Sequence, residues 1–210
     1  MFEHSNKSMI YGAEGAAMRA MFRARKEVFI DLLGWDLPVL AGEYELDQFD
    51  GPGAEYVILT DRDGAHRASA RLLPTDTDHL PPPRSPMLCA APPPSGPAVR
   101  EITRFCLSRH HRGAARRLAR NQLVTALAEY GLAHDLTGFT GVAEPAWSEQ
   151  IMTFGWRCKR LGPVVSVAGQ ALVAIHIEID GDTIAGLKRT GVYEPSRLLE
   201  QPAAVAEERA

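Results

Sequence analysis

The chain has 210 residues, a formal net charge of −3 and 45% hydrophobic residues. That length fits one domain with a modest appendage, and the apolar fraction is enough to bury a substantial core. The mild charge gives no whole-molecule nucleic-acid signal, and no apolar run reaches the ~18 residues of a membrane span, so neither nucleic acid nor membrane is an expected partner.

The N-terminus lacks a signal-peptide core, since Glu3, His4, Asn6 and Lys7 interrupt it. Ala17, Met21, Phe22, Arg25 and Phe29 recur at three- and four-residue spacing and predict a helix over 13–33. Pro38 and Gly42 end regular structure, and 37–53 reads as a long polar loop closed by Gly51-Pro52-Gly53. Residues 54–60 and 65–73 read as strands around a turn at 61–64, which makes a hairpin. The segment 81–97 carries two triple-proline runs and is expected to be a mobile surface loop. Residues 99–108 form a further strand, and 113–130 a helix with Leu118, Leu123, Val124 and Leu127 turned inward. Residues 136–143 are the next strand. Pro145 opens a short helix running to about Phe154, with Gly155 just past it. Residues 163–167 and 170–179 are the last strands, followed by a helix over 182–188. Val173, Ile175, Ile177 and Ile179 share one strand face. The element order predicts an α/β sandwich on a mixed sheet, with parallel pairing where helix 113–130 joins its two strands. The domain is placed at 1–193 and a flexible tail at 194–210.

Cys89, Cys106 and Cys158 are scattered without paired metal spacing. They read as buried, reduced thiols of a cytoplasmic protein, and no metal site is expected.

Glu43, Glu45, Asp47 and Asp50 place four carboxylates in eight residues, just after Arg25, Phe29 and Trp35. Clustered carboxylates repel one another unless cations compensate. Arg71 and Arg104 lie inside strand-like runs, where a buried charge needs a partner. An acidic loop framed by aromatics and arginines suits a small ligand bearing both a cation and a carboxylate; an ion-pair network without ligand is the competing reading. Phe29 reads as core, Glu43 as surface. Trp35 either packs under the loop or stacks on a ligand ring. Strict alternation puts Glu101 and Arg104 on opposite sheet faces, so both line one site only if a bulge lies between them. Glu101 beside a ligand amine would be a general base. Arg109, Arg112, Arg116, Arg117 and Arg120 form a basic segment, either a solvated helix face or a docking patch.

These residues resemble the LuxI-type acyl-homoserine lactone synthases, the autoinducer synthases of bacterial quorum sensing. The matching features are Arg25-x3-Phe29-x5-Trp35 and Glu45-Leu46-Asp47-Gln48-Phe49-Asp50-Gly51-Pro52-Gly53. Tyr56, Arg71-Leu72-Leu73-Pro74-Thr75 and Glu101-Ile102-Thr103-Arg104-Phe105 continue the series, over about residues 9–180. The resemblance implies an acetyltransferase-like (GNAT) fold, a three-layer α/β/α sandwich with a mixed, mostly antiparallel sheet. It implies an acyltransferase that joins an acyl thioester to the amine of S-adenosylmethionine, closes the lactone and releases 5′-methylthioadenosine. S-adenosylmethionine enters as a substrate, and no cofactor is implied. Glu101 and Arg104 are then the catalytic candidates. Arg25, Phe29, Trp35, Glu45, Asp47, Asp50 and Arg71 are the candidate S-adenosylmethionine wall. Phe105, Leu123, Gly141, Val142, Trp147, Ile151 and Met152 are candidates for the acyl pocket, or else plain core. Arg109, Arg112, Arg116, Arg120 and Lys159 would dock the donor. Acyl carrier protein is the favoured donor, with acyl-coenzyme A as the alternative. The remaining alternatives are a coenzyme-A-dependent N-acyltransferase and a non-catalytic ligand-binding paralogue. Two features depart from the family pattern: Gly141 stands where many members have a threonine, with Thr140 beside it, and 81–97 replaces a short apolar helix.

Overall fold

A computed structural model describes residues 2–5, 13–76, 87–167 and 169–195. The expected tail, from 196 onward, and the first part of the proline-rich segment, 81–86, lie outside the described residues.

Strand β1 (Phe2–Ser5) and helix α1 (Ala13–Arg25) come first. A short hairpin of β2 (Val39–Leu40) and β3 (Tyr44–Glu45) follows, then β4 (Glu55–Thr60), β5 (His66–Pro74) and β6 (Val99–Leu107). After these come α2 (Gly113–Ala133), β7 (Gly138–Ala143), α3 (Pro145–Met152), β8 (Arg157–Arg160), β9 (Val165–Val167), β10 (Gln170–Glu178) and α4 (Thr183–Arg189). The main sheet runs β1-β4-β5-β6-β7-β10-β8, with β9 on the far end of β10. Among the described residues every neighbouring pair is antiparallel except β6–β7, which is parallel as the intervening helix requires.

Alternation along the strands sorts the core into two faces. Val57, Leu59, Ala68, Ala70 and Leu72 point to the back, against Leu123, Val124 and Leu127 of α2; Phe139, Ile175 and Ile177 extend that core beneath α3 and α4. Tyr56 and Ile58 point to the front, against Ala17 and Met21 of α1. The result is the expected three-layer sandwich, with the main apolar mass on the back.

Several expectations change. The first helix does not run regularly to 33: after Arg25 it loosens into a π-helical turn, Lys26–Ile30, with Asp31 N–H donating to Lys26 O at 3.1 Å. The polar loop contains the β2–β3 hairpin. Leu118 is 38% exposed; the buried stripe of α2 runs through Ala119, Leu123, Ala126 and Tyr130, one residue away from it. Strand β8 went unforeseen because Arg157, Lys159 and Arg160 hide the strand signal at an exposed edge. Leu88, inside the segment expected to be mobile, is buried; Ala90 N–H donates to Leu161 O at 2.8 Å, and a Cβ on Gly162 would meet Leu88 O at 2.4 Å. That close approach pins the loop against the sheet. Of the three cysteines only Cys106 is buried; Cys89 and Cys158 are half-buried, and all three are free thiols.

Two irregularities shape the middle of the sheet. The β5–β6 register slips so that Arg104 and Phe105 stand opposite the single residue Ala70, and Arg104 adopts φ +49°. A non-glycine residue in that region costs about 1–3 kcal/mol and persists only where its surroundings hold it. The parallel β6–β7 pairing runs from Val99↔Gly138 to Ile102↔Gly141 and stops there, although both strands continue. Beyond Ile102 the two strands part.

Candidate functional site

The bulge is the condition that the sequence set. Glu101 and Thr103 point to the front by alternation, and the inserted Arg104 joins them there, its guanidinium reaching Glu45 and Asp47. Phe105 and Leu107 then turn to the back core, and Cys106 turns under Val28 and Phe29.

Three arginines and three carboxylates alternate across this front surface. Arg25 donates from Nε to Glu45 and from both terminal nitrogens to Asp50, at 2.8 and 2.9 Å. Arg71 grips Asp47 with the same fork, at 2.6 and 3.1 Å, and its Nη1 also lies 2.8 Å from Asp50 Oδ1. Its Nε donates to Thr103 Oγ1 at 2.9 Å. Arg104 bridges Glu45 at 3.0 Å and Asp47 at 2.9 Å. Tyr56 O–H donates to Asp50 at 2.8 Å. The loop also holds itself: Asp50 accepts from Asp47 N–H, and Asp47 accepts from Phe49 N–H. Planar forks of this kind fix orientation as well as charge.

Burial divides the six. The side chains of Arg25, Glu45 and Asp50 are essentially closed off, whereas Asp47 and Arg104 keep 9% and 11% exposure. Burial alone would raise the Asp50 pKa; hydrogen bonds from Arg25 and the charges of Arg25 and Arg71 outweigh it and hold the carboxyl well below its usual range. Burial, joined by the Asp50 charge, pushes the Tyr56 phenol up, so it remains a donor. In this structure Arg25, Glu45 and Asp50 hold the wall together from behind, and Asp47 and Arg104 form its surface. Phe29 is likewise buried, 5.7 Å under the Arg104 guanidinium, and Trp35 stacks on it at 5.0 Å. Trp35 thus packs at the loop entrance against Phe29, placed there by the π-turn. Glu43 pairs with Arg23 on the exposed side, as a surface residue.

Glu101 lies two residues before Thr103 on the same face. It lines a narrow cleft with Leu88, Cys89, Pro93, Thr140, Gly141, Val142, Leu161 and Ala174. The acyl candidates separate accordingly. Val142 belongs to this front cleft, while Gly141 adds backbone and points to the back. Phe105 and Trp147 contact each other at 5.3 Å on the back, where Leu123 and Ile151 are core. Met152 is half-buried at the end of α3. The set is two groups on opposite faces rather than one lining.

The docking candidates also separate. A hollow of about 340 Å³ at the start of α2 is lined by Leu107, Gly113, Arg116, Arg117, Arg120, Trp147 and Gln150. Arg112 caps the helix and turns back onto the carbonyls of Arg109 and His111, so it does not extend the helical row. Arg109 is half-buried in that turn. Arg120 bonds Asn121 and Gln150. Lys159 is elsewhere: on edge strand β8 it faces the front and bonds Glu178 at 3.3 Å. Thr103 and Tyr56, which bond Arg71 and Asp50, were not singled out as site residues. Thr103 carried a usable signal, since i and i+2 share a strand face with Glu101. Among the described residues no cluster of three metal-binding side chains occurs, and no helix is long and apolar enough to cross a membrane.

Comparison with known proteins identifies the family. Residues 10–187 match the profile of the family described as autoinducer synthase. An acyl-homoserine-lactone synthase of Ralstonia nicotianae is 32% identical over 173 residues, covering 80% of this chain and 85% of the relative. One from Pseudomonas aeruginosa is 30% identical over 203 residues, covering 93% and 94%. TofI, solved in a ternary complex with an inhibitor and MTA, superposes with a TM-score of 0.73 at 28% identity, over 89% of this chain and 96% of TofI. BjaI, a coenzyme-A-dependent acyl-homoserine lactone synthase solved with SAM and isopentyl-CoA, superposes at 0.78 over 91% and 89%; its 21% identity speaks for the fold alone. The chain belongs to the autoinducer synthase family and is an acyltransferase of the acetyltransferase-like fold.

Proposed function

We propose that the protein makes an acyl-homoserine lactone from S-adenosylmethionine and an acyl thioester. The observation that carries this reading is the bulge at Arg104. It gathers Glu101, Arg104 and Asp47 on one face beside the point where β6 and β7 part. The α-amine must be neutral to attack, and Glu101 takes its proton, directly or through one water. Arg104 suits the methionine carboxylate, Asp47 suits the cationic groups, and Trp35 closes over the adenosyl end. Backbone N–H groups along the parted strands are candidates for the thioester oxyanion. The amine forms the amide bond as the thiol leaves. The carboxylate oxygen then attacks the γ-carbon, the C–S bond breaks toward sulfur, and 5′-methylthioadenosine departs with the lactone formed.

Acyl carrier protein is the favoured donor. Among the described residues Arg116 and Arg117 have no salt-bridge partner, and both are exposed and line the hollow, which suits an acidic protein surface. The test is to incubate the protein with S-adenosylmethionine and acyl-carrier-protein or acyl-coenzyme A thioesters, then to follow methylthioadenosine and lactone by mass spectrometry. Acyl transfer without methylthioadenosine would overturn the synthase reading, and turnover with coenzyme A thioesters alone would reverse the donor. Glu101→Gln should lower kcat by about 100-fold, or about 2.7 kcal/mol, while S-adenosylmethionine affinity is retained.

A further inference from the structure

Four polar side chains stand in one row across the front of the sheet: Glu101 on β6, Thr140 on β7, His176 on β10 and Lys159 on β8. The register pairs them in succession, Glu101↔Thr140, Thr140↔His176 and His176↔Lys159. Directly opposite residues share a face, and in the two antiparallel pairings their Cβ atoms stand about 4.5–5.5 Å apart. A separate contact fixes the side on which the imidazole lies. A Cβ added to Gly138, two residues before Thr140 and on the same face, would meet His176 Cε1 at 2.5 Å. At the β5 end the row is closed by buried Leu73, opposite Glu101. At the β8 end it opens at Lys159, whose side chain is 61% exposed.

Packing gives no reason for this row. Thr140 and His176 are 5% and 7% exposed, and burying a hydroxyl and an imidazole is costly unless they are used. His176 Nδ1 is buried with no hydrogen-bond partner among the described residues. Burial lowers the His176 pKa, Lys159 lowers it further, and Glu178 and the Phe139 backbone oppose them. The groups facing this imidazole are thus Thr140, Lys159 and Glu178, with Glu101 one strand further.

The chemistry requires a proton exit. An ammonium brings three protons to the acyl transfer: one stays on the amide nitrogen, one ends on the departing thiol, and one is released. Lactonisation consumes none, since the sulfonium takes the electron pair of its broken C–S bond. Each turnover therefore leaves one proton on the base, and it must reach solvent before the next.

We propose that Thr140 and His176 carry this proton from Glu101 to the Lys159 edge of the sheet. The inference rests on Glu101 being the base. The threonine hydroxyl accepts on one side and donates on the other, and the imidazole passes the proton between its two nitrogens. At that edge the carboxylate of Glu178, held by the Lys159 ammonium, or a water beside it accepts the proton and passes it to bulk water. Thr140 and His176 act through Glu101 and are positioning and relay residues.

The experiment uses the full chain and compares His176→Gln, Thr140→Val, Thr140→Ser and Glu101→Gln for melting temperature, kcat and KM across pH, with and without added imidazole. His176→Gln and Thr140→Val should lower kcat about tenfold with KM for S-adenosylmethionine within about twofold, a smaller effect than loss of the base itself. Imidazole should restore most of the His176→Gln loss, and Thr140→Ser should turn over like the wild type. Should His176→Gln melt early, the Thr140→Val and Thr140→Ser pair decides. An inactive Glu101→Gln beside fully active His176→Gln and Thr140→Val overturns the relay alone, as does a Thr140→Ser as slow as Thr140→Val. A Glu101→Gln enzyme at wild-type turnover overturns the base and the relay together.

Discussion

The molecule has two strongly charged regions that obey opposite rules. On the front face, three guanidinium and three carboxylate groups cancel within one buried network, each held by two or more partners. At the start of α2, Arg116 and Arg117 stand exposed beside a hollow with no carboxylate answering them among the described residues. A buried charge must be matched inside the protein, because the cost of leaving it unpaired reaches several kcal/mol. An exposed charge has water as its partner and is available to something else. The first region is therefore a fixed wall, and the second is a surface suited to a transient visitor.

The largest expected effect lies in the wall. Asp50→Asn removes the charge that answers Arg25 and Arg71 and should destabilise the fold by about 3–5 kcal/mol in urea denaturation. Its folded pKa is depressed, so the Asp50 contribution is complete above the unfolded value of about 3.9 and drains away as pH falls below it. The variant should thus also flatten the acid limb of the stability curve. An unchanged urea midpoint would show that the network is not what holds the loop. The middle effect lies in the patch. Reversing Arg116 and Arg117 to Glu should raise KM for the acyl donor about tenfold at low salt, with the difference shrinking as salt is added. Equal KM at low ionic strength would move the donor elsewhere. The smallest effect sharpens the boundary between the regions. Glu43→Gln breaks an exposed pair with Arg23 at the edge of the wall and should leave both melting temperature and turnover unchanged. A clear loss would mean that the buried network extends further out than Glu45.

The wall was the more legible region in sequence for the same reason. Arg71 inside an apolar strand and carboxylates clustered around Phe49 demand one another, so their pairing follows from elementary electrostatics. What sequence did not give was depth. Arg25 and Asp50 carry the same charges as Arg104 and Asp47, and only the packing of α1 and Tyr56 decides which pair is covered. The patch was less legible: Arg112 leaves the helical row because it caps the helix, and Lys159 lies on a strand that its own charges concealed. Tunnel and core residues are equally apolar, so Leu123 and Val142 were grouped together although the sheet separates them. Glu101 and Arg104 sit between these cases, since alternation stated what would be needed for both to face one way, and the π-turn that sets Trp35 on Phe29 left no comparable mark.

The one-residue insertion at Arg104 works as a parity change. A strand is a two-letter alternation of inward and outward, and one extra residue swaps the letters for everything downstream. Upstream of it β6 offers the front Glu101 and Thr103; downstream it offers the back Phe105 and Leu107. Deleting a single residue there would do more than shorten a strand by about 3.3 Å. It would leave Phe105 alone opposite Ala70, with Phe105 and Leu107 still in the core, and would remove the guanidinium that stands beside Thr103 on the front, so the extra residue serves the charged wall rather than the apolar core.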